Sequence, residues 1–175
     1  MKFTETPLPG AYVIEFEPHE DYRGSLTRLY DLEEYDILGS SGMRIIQVNH
    51  QYDKAAGTIR GMHYRIPWEQ KVVMCLRGMV WDVIVDLRKN SPTYLKWHGI
   101  AMRPHDYQAI YVPRWFAHGH QSLTDHCELL YFHSDFYDPN HEQGFRYDDP
   151  KINIHWPLSQ GPVSQKDMEL PYVEG

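Results

Sequence analysis

The sequence has no long uninterrupted apolar run, few cysteines and no excess of basic charge. Its 175 residues carry a formal net charge of -7, which argues against a nucleic-acid partner because such binders normally show a basic face. No uncharged apolar stretch is long enough to span a membrane. The first ten residues, MKFTETPLPG, contain neither a continuous apolar core nor a small-residue cleavage site. We therefore expect no signal peptide, no membrane partner and a cytoplasmic location.

The two cysteines, Cys75 and Cys127, are not spaced as a Cys-x-x-Cys pair, so neither a redox motif nor a zinc site is indicated. Cys75 lies in an apolar run, and Cys127 follows Asp125 and His126. A disulfide between them is one alternative. Two buried reduced thiols are the expected one, as in a cytosolic protein.

Hydrophobic residues make up 42% of the sequence and aromatic residues 14%. This composition is typical of a globular protein and not of a disordered one. A length of 175 residues fits one domain with a sizeable core. Because no internal repeat, low-complexity block or linker divides the chain, we predict a single domain over residues 1–175.

Short segments with a strand-like pattern recur along the chain, separated by turn signals such as Arg77-Gly78 and Asn90-Ser91-Pro92. Many short strands at this spacing are typical of an all-β antiparallel barrel or sandwich. Strands are predicted at Ala11–Phe16, Ser25–Tyr30, Arg44–His50, Thr58–Tyr64, Lys71–Arg77, Met79–Leu87, Leu95–Met102, Gln108–Val112, Gln121–Leu123 and Glu128–Ser134. A charged turn is predicted at Glu17–Gly24. Short helices are predicted at Asp31–Leu38, ended by Gly39–Gly42, and near Ser164–Leu170.

Alternation within one of these strands places Asp82, Ile84 and Asp86 on one face and Val83 and Val85 on the other. Two interpretations of the aspartates remain open at this point. They line a polar barrel interior, or they are solvated charges on an outer face.

Gly57, His63 and Gly78, followed by Pro113 and His118, resemble the two-motif signature of the cupin superfamily. In metal-binding members, the first motif offers two histidines and a carboxylate, and the second motif offers another histidine. Here Arg65 stands in the place of the second histidine, and Lys71 falls close to that of the carboxylate. Two cations in a ligand set repel a divalent metal, so we predict no metal site.

A longer ordered set of motifs is similar to the dTDP-4-dehydrorhamnose 3,5-epimerase family over nearly the whole chain. Each motif alone is weak, but their shared order is specific. The motifs are DYRG at Asp21–Gly24, QVNH at Gln47–His50, GTIRGMHY at Gly57–Tyr64, DVIVDLR at Asp82–Arg88, SPTY at Ser91–Tyr94, VPRWFAHGH at Val112–His120, YDP with a later Glu at Tyr137–Glu142, DDP at Asp148–Pro150, WPL at Trp156–Leu158 and SQKD at Ser164–Asp167.

The resemblance implies a cupin-like antiparallel β-barrel, or jelly roll, with a few short helices. It implies an isomerase that inverts C3, C5 or both in a 4-keto-6-deoxy sugar carried on a nucleoside diphosphate. No cofactor is required, because the ketone of the substrate acidifies the adjacent carbons. The resemblance also implies a homodimer that exchanges N-terminal strands.

The same resemblance implies four catalytic roles. His63 is the base that removes a proton from carbon, and histidine suits that task near neutral pH. Asp167 orients His63, Lys71 faces the developing enolate oxygen, and Tyr131 supplies a proton from the opposite side. Each residue taken alone also has a structural interpretation, such as a satisfied core histidine, a solvated lysine or a helix cap.

Substrate binding is assigned in the same way. Arg23, Arg60 and His118 are expected to hold the diphosphate, for which guanidinium groups are well shaped. Gln47 and Asn49 would hydrogen-bond the sugar or the base, and Tyr137 would stack on the sugar or nucleoside.

The sequence departs from the family pattern at several positions. Leu26 and Arg28 stand where a phenylalanine and an acidic residue usually contact the nucleobase, so Arg28 offers donors in place of acceptors. We therefore hypothesise a carrier other than dTDP, such as CDP or GDP. Gln51 replaces a small residue. Arg114-Trp115 and His120 replace the commoner glycine and phenylalanine near FAHG.

Two other functions remain as alternatives from the sequence alone. One is a metal-dependent cupin enzyme such as a dioxygenase, and the other is a cupin that binds a sugar without turning it over. The joint presence of His63, Lys71, Tyr131 and Asp167 favours the epimerase.

Overall fold

The computed structural model of the protein describes residues 1–38 and 43–173. Within these ranges the chain is built almost entirely of antiparallel strands. In chain order they are β1 (Lys2–Glu5), β2 (Tyr12–Glu15), β3 (Pro18–Asp21), β4 (Gly24–Thr27), β5 (Gln47–Asp53), β6 (Ile59–Arg65), β7 (Lys71–Arg77), β8 (Val80–Asp86), β9 (Trp97–Met102), β10 (Gln108–Val112), β11 (Phe116–Ser122), β12 (Cys127–His133) and β13 (Glu142–Gly144).

Two large sheets form the body of the protein. The six-stranded sheet has the order β1-β2-β10-β7-β12-β5, and the five-stranded sheet has the order β13-β6-β11-β8-β9. Strands β3 and β4 pair only with each other, as a separate hairpin. This architecture is the predicted cupin-like jelly roll, and the predicted all-β fold class is confirmed.

The helical elements are short. The α-helix α1 covers Gln165–Met168, where a helix was predicted, and the Ser164 side chain accepts a hydrogen bond from the Asp167 amide as its N-cap. A 3₁₀ helix at Glu34–Leu38 replaces the longer predicted helix, and its predicted end at Gly39–Gly42 lies outside the described residues. Further 3₁₀ turns occupy Pro104–Asp106 and Pro139–His141. None of the helices in the described ranges combines enough length and apolar character to cross a lipid bilayer.

The sequence interpretation was wrong for the segment Glu17–Gly24. Most of it is not a turn, because Pro18–Asp21 pairs with Gly24–Thr27. The edge strands β1 and β13 were not predicted, and β11 was recognised only at its end. Its sequence FAHGHQS has small and polar residues that resemble a loop, yet all seven residues are buried.

The core has three layers. Residues between the two sheets include Val73, Ile84 and Leu129, whereas the outer face of the six-stranded sheet is covered by residues such as Tyr35. The C-terminal segment covers the other outer face, where Ile152 packs against the five-stranded sheet. Because strands such as β7 are covered on both faces, they show near-continuous apolar sequence rather than alternation.

Asp82 and Asp86 both lie inside the protein, at 1% and 0% exposure. The interior interpretation of their alternation is therefore the right one. Asp86 accepts hydrogen bonds from Arg88, Ser91 and Thr93. Although burial opposes the ionisation of Asp86, these donors lower the pKa of its carboxyl group to about 2. The ionised carboxylate therefore ties the following loop to the end of β8. The two cysteines are buried and unpaired.

A close crossing of β6 and β11 positions the residues described next. Gly61 has φ of +119°, and a Cβ atom there would stand 2.8 Å from Gly119 Cα and 2.9 Å from the His118 carbonyl oxygen. Only glycine combines that torsion with that space. The register shifts at the same place, between His118 and His120.

Candidate active site

A cleft of about 540 Å³ opens between the two sheets, a size suited to a small organic ligand. Its walls combine polar and charged side chains from both sheets. The lining residues used below are Gln47, Asn49, Gln51, Arg60, His63, Arg65, Glu69, Lys71, His118, His120, Tyr131, His133 and Tyr137.

His63 and Asp167 form a pair, although 104 positions separate them in sequence. His63 Nε2 lies 2.8 Å from Asp167 Oδ1, and the other carboxylate oxygen accepts a hydrogen bond from the Gly61 amide. Burial raises the pKa of Asp167, but His63 and the backbone donor outweigh it and lower that pKa. The carboxylate is therefore ionised and accepts the Nε2 proton, which leaves Nδ1 of His63 as the basic nitrogen.

Tyr131 comes from the opposite sheet, on β12. Its ring stacks on His133 at 5.9 Å and meets the edge of His118 at the same distance. Burial, followed by the charges of Asp82 and Asp53, raises the pKa of Tyr131 well above its ordinary value. The side chain is therefore a phenol, able to donate a proton.

Lys71 lies on β7 beside a buried carboxylate. Its Nζ is 3.0 Å from Glu69 Oε1, and the exposed fractions of the two side chains are 9% and 5%. Glu69 also accepts from Arg65 at 3.2 Å and from His133 at 3.1 Å. Burial opposes the charge on Glu69, but Lys71 and His133 outweigh it and lower the pKa of Glu69 strongly. Glu69 is therefore an anion that holds three cleft side chains in place.

His118 is paired with Asp82 beneath the cleft. Its Nε2 lies 2.9 Å from both Asp82 carboxylate oxygens. Burial raises the pKa of Asp82 to about 8 and holds that of His118 well below its ordinary value. The pair is thus uncharged near neutral pH, and any contact of His118 with a ligand would be made by its other ring edge.

Arg60 lies at one side of the cleft. Its Nε is 2.7 Å from Asp53 Oδ1, and nearly half of its side chain is exposed. On the opposite sheet, Gln47 donates to Asn49 at 3.0 Å and accepts from the Tyr137 amide at 2.8 Å. These contacts hold polar groups and an exposed aromatic ring around the cleft.

Arg23 and Arg28 do not reach the cleft of their own chain. Arg23 lies in the β3–β4 hairpin, pairs with Asp21 at 2.6 Å and is 74% exposed. Its neighbour Tyr22 is 97% exposed. Arg28 lies 3.4 Å from the carboxylates of Asp31 and Glu34.

Several residues that line the cleft or lie beneath it were not assigned from the sequence. Asp53, Glu69 and His133 had no role in that interpretation, and His120 was noted only as a departure from the family pattern. In the structure, Asp53 lies 2.8 Å from His120, and Glu69 lies 3.1 Å from His133. Period-two alternation along β5 and β12 could have placed Asp53 and His133 on the inner face. No spacing signal connects them to their partners.

The donor set does not fit a metal centre. Among residues 1–38 and 43–173, no three histidine, cysteine, aspartate or glutamate side chains are grouped to hold a metal ion. The cupin ligand positions carry Arg65 and Lys71, and both are directed at Glu69.

Comparison with known proteins gives one consistent family. The model of the dTDP-4-dehydrorhamnose 3,5-epimerase family matches residues 5–174. The enzyme of that name from Methanothermobacter thermautotrophicus is 36% identical, over 95% of this chain and 91% of its own length. A dTDP-4-dehydrorhamnose 3-epimerase from Streptomyces niveus is 32% identical, over 97% of this chain and 82% of its own.

A solved structure agrees in fold. The dTDP-4-dehydrorhamnose 3,5-epimerase of Bacillus anthracis, crystallised with TDP and PPi, superposes with a TM-score of 0.93. It is 33% identical, and the match covers 98% of this chain and 99% of that one. The family match and this superposition both extend over nearly the entire chain, and they confirm the resemblance inferred from the motifs. The chain belongs to the dTDP-4-dehydrorhamnose 3,5-epimerase family.

Proposed function

We propose that this protein epimerises a nucleoside-diphosphate-linked 4-keto-6-deoxy sugar at C3, C5 or both, through an enolate. The observation that carries the proposal is the position of a histidine–carboxylate pair and a phenol on opposite walls of one cleft. His63 lies on the five-stranded sheet and Tyr131 on the six-stranded sheet. Inversion at carbon requires a base on one face and an acid on the other.

His63 removes the proton next to the ketone. Asp167 fixes its tautomer and stabilises the imidazolium that forms, as in other histidine–aspartate pairs. Proton transfer to a positioned base contributes roughly a hundred- to ten-thousand-fold in rate. The bond electrons move into the enolate, and negative charge develops on the former ketone oxygen.

Lys71 stabilises that charge, since its ammonium group is fixed by Glu69 before the reaction begins. Tyr131 then protonates the carbon from the opposite side, which inverts the centre. Arg60 and His118 contact the diphosphate or the adjoining sugar, Gln47 and Asn49 bind hydroxyl groups, and Tyr137 stacks on a ring. None of these steps uses a cofactor.

The hairpin β3–β4 is proposed to complete the cleft of a second copy. Arg23 and Leu26 are exposed and remote from their own cleft, with Leu26 at 76% exposure. A homodimer in which N-terminal segments are exchanged would bring Arg23 to the diphosphate of its partner, and Arg28 to the nucleobase. We propose residues 1–175 as one domain of a cytoplasmic enzyme, in keeping with two buried unpaired cysteines.

The proposal is tested by incubating the protein in deuterated water with 4-keto-6-deoxyhexoses linked to dTDP, CDP, GDP and UDP, followed by NMR at C3 and C5. The wild type should take up deuterium and invert at least one centre, and His63→Ala should do neither. His105→Ala is a matched control, because His105 is exposed on the 3₁₀ turn Pro104–Asp106. Unchanged exchange in His63→Ala would remove this histidine as the base.

A further inference from the structure

The hydroxyl group of Tyr131 meets a second histidine. Tyr131 Oη lies 3.4 Å from His120 Nδ1, and His120 Nε2 lies 2.8 Å from Asp53 Oδ2. Asp53 and His120 are each 1% exposed. The three groups thus form a continuous chain that runs from the cleft into the barrel interior. His63 and Asp167 take no part in it.

Asp53 is held as an anion by several donors. Burial opposes its ionisation, but hydrogen bonds from His120 and Arg60 lower its pKa to about 2. Ser122 donates to the same carboxylate at 2.9 Å. An ionised carboxylate at 2.8 Å must accept a proton from His120 Nε2, so the nitrogen that faces Tyr131 is Nδ1.

The chain from Tyr131 through His120 to Asp53 matters because each turnover removes a proton from Tyr131. When Tyr131 gives its proton to the sugar, a phenolate remains. The raised pKa of Tyr131 means that this anion is unfavourable in its surroundings. The next substrate cannot be protonated until the phenol is restored.

We propose that His120, anchored by Asp53, is a positioning residue that returns a proton to Tyr131 after each inversion. The step begins with imidazolium His120, whose Nδ1–H bond points at Tyr131. As the carbon–hydrogen bond forms on the enolate, the Tyr131 O–H bond breaks and its electron pair stays on oxygen. The His120 Nδ1–H bond then breaks, and the proton passes to that oxygen.

The products of this step are neutral Tyr131 and neutral His120, which keeps its Nε2 proton on Asp53. His120 regains a proton from solvent while His63 loses the one it abstracted, so protons balance over the cycle. The inference rests on the proposed epimerase function and extends it, since it assigns a role to a cleft histidine that the steps of that reaction do not use. A phenylalanine at this position would leave reprotonation of Tyr131 to water.

Titratable and charged groups lie on every strand that neighbours His120, so a pH profile of activity reports on all of them together. These groups are Asp53 on β5, Arg60 and His63 on β6, Lys71 on β7, Asp82 on β8, Tyr131 on β12 and His118 on β11 itself. For this reason the decisive measurement separates the first turnover from later ones, rather than relying on pH alone.

The experiment uses His120→Phe and His120→Gln in the full-length protein, with the nucleotide-linked 4-keto-6-deoxyhexose that the wild type turns over fastest. Phenylalanine replaces the imidazole by another planar ring, and Asp53 keeps Arg60 and Ser122 as partners, so we expect both variants to fold. Glutamine retains hydrogen-bonding groups but does not relay protons. We expect the first inversion in a rapid-quench single turnover to keep the wild-type rate in both variants. Any second inversion and the steady-state turnover should be slowed about ten-fold.

Added imidazole should restore some of the steady-state rate of His120→Phe by supplying the missing proton. Steady-state turnover equal to wild type in both variants would overturn the inference. So would equal slowing of first and later turnovers, or full recovery in His120→Gln, because either result indicates a purely structural contact. A wild type that neither exchanges nor inverts any sugar of the panel linked to dTDP, CDP, GDP and UDP would instead overturn the proposed function itself.

Discussion

The ammonium group of Lys71 lies 3.0 Å from the carboxylate of Glu69, and both side chains are almost fully enclosed. The ion pair sits in the wall of the cleft, where Glu69 also binds Arg65 and His133. One anion thus fixes the residue assigned to the enolate oxygen and two further side chains.

Replacing Lys71 by methionine should slow catalysis with little loss of stability. The variant removes the charge that faces the enolate, and a lost donor of this kind costs about a hundred-fold in kcat. Glu69 keeps Arg65 and His133 as partners, so the fold should tolerate the change. Steady-state kinetics and urea unfolding measure the two effects. A kcat within a factor of about three of wild type would contradict the assignment.

Glu69→Gln is the matched variant. It should lower the stability of the fold more than Lys71→Met does. It leaves Lys71 and Arg65 as buried cations without their anion, which should cost about 3 kcal/mol in the free energy of unfolding. The urea unfolding midpoints of Glu69→Gln and Lys71→Met, measured side by side, show which variant is less stable. If Glu69→Gln proves the more stable of the two, Glu69 does not hold the cluster.

The ionised Asp53 side chain should make the free energy of unfolding fall at acidic pH. Its pKa is about 2 in the folded protein against 3.8 in the reference state, so the folded state favours the ionised form. The stabilisation is fully present above the unfolded pKa and is lost as pH falls from about 4 to about 2. Allowing for solvent screening, we expect about 1 to 2 kcal/mol from this group.

The measurement is the free energy of unfolding against pH for wild type and Asp53→Asn. The variant should be less stable at pH 7 and show a flatter slope below about pH 4. Ser122→Ala, which removes one of the donors, should fall between them. Parallel curves for wild type and Asp53→Asn would show that this carboxylate does not carry the effect.

Hybrid dimers should recover activity if the hairpin serves the cleft of its partner. His63→Ala lacks the base, and Arg23→Glu places a repulsive charge against the diphosphate. In a hybrid of the two variants, one cleft combines intact His63 with intact Arg23 of the other chain. Co-expression should then give about a quarter of wild-type activity, because half of the dimers are hybrids with one working site.

The outcome distinguishes two geometries. If Arg23 served its own cleft, every site in the hybrid would carry one defect, and activity would not rise above that of the parental variants. Co-purification through two different tags shows independently that the hybrid has formed.

The carrier nucleotide is tested by the binding of free dTDP, CDP, GDP and UDP, measured by calorimetry. The sequence hypothesis is a carrier other than dTDP, such as CDP or GDP, since Arg28 replaces an acceptor by donors, so one of these diphosphates should bind more tightly than dTDP. In the single chain, Arg28 is directed at Asp31 and Glu34. Arg28→Glu should shift the preference towards dTDP. Tight, selective binding of dTDP by the wild type would remove the hypothesis.

The sequence predicted most of the barrel because local pattern and local structure agree there. Lys71–Arg77 and Gln108–Val112 were placed with the boundaries that the structure gives. Strand β3 was missed because its charged residues are solvated and bury no face that could impose a pattern, whereas β4 overlaps the predicted strand Ser25–Tyr30. Strand β11 was mostly missed because its histidines and glycine are polar or small and nonetheless buried.

The candidate site was predictable only where a motif connects distant residues. Periodicity cannot bring His63 to Asp167 across 104 positions, and the family resemblance supplied that pair. Glu69 and Asp53 were missed for a physical reason. A buried carboxylate is recognisable only by the partners that neutralise it, and those partners come from other strands.

The close crossing of β6 and β11 at Gly61 limits which substitutions could reshape the cleft. Around residues 61 and 119 the strands β6 and β11 meet backbone to backbone, without an intervening side chain whose size could be varied. The backbone of the floor beneath His63 and His118 is therefore closed to gradual remodelling. Acceptance of a different sugar would have to arise at the rim and in the opposite sheet, where side chains can be exchanged one at a time.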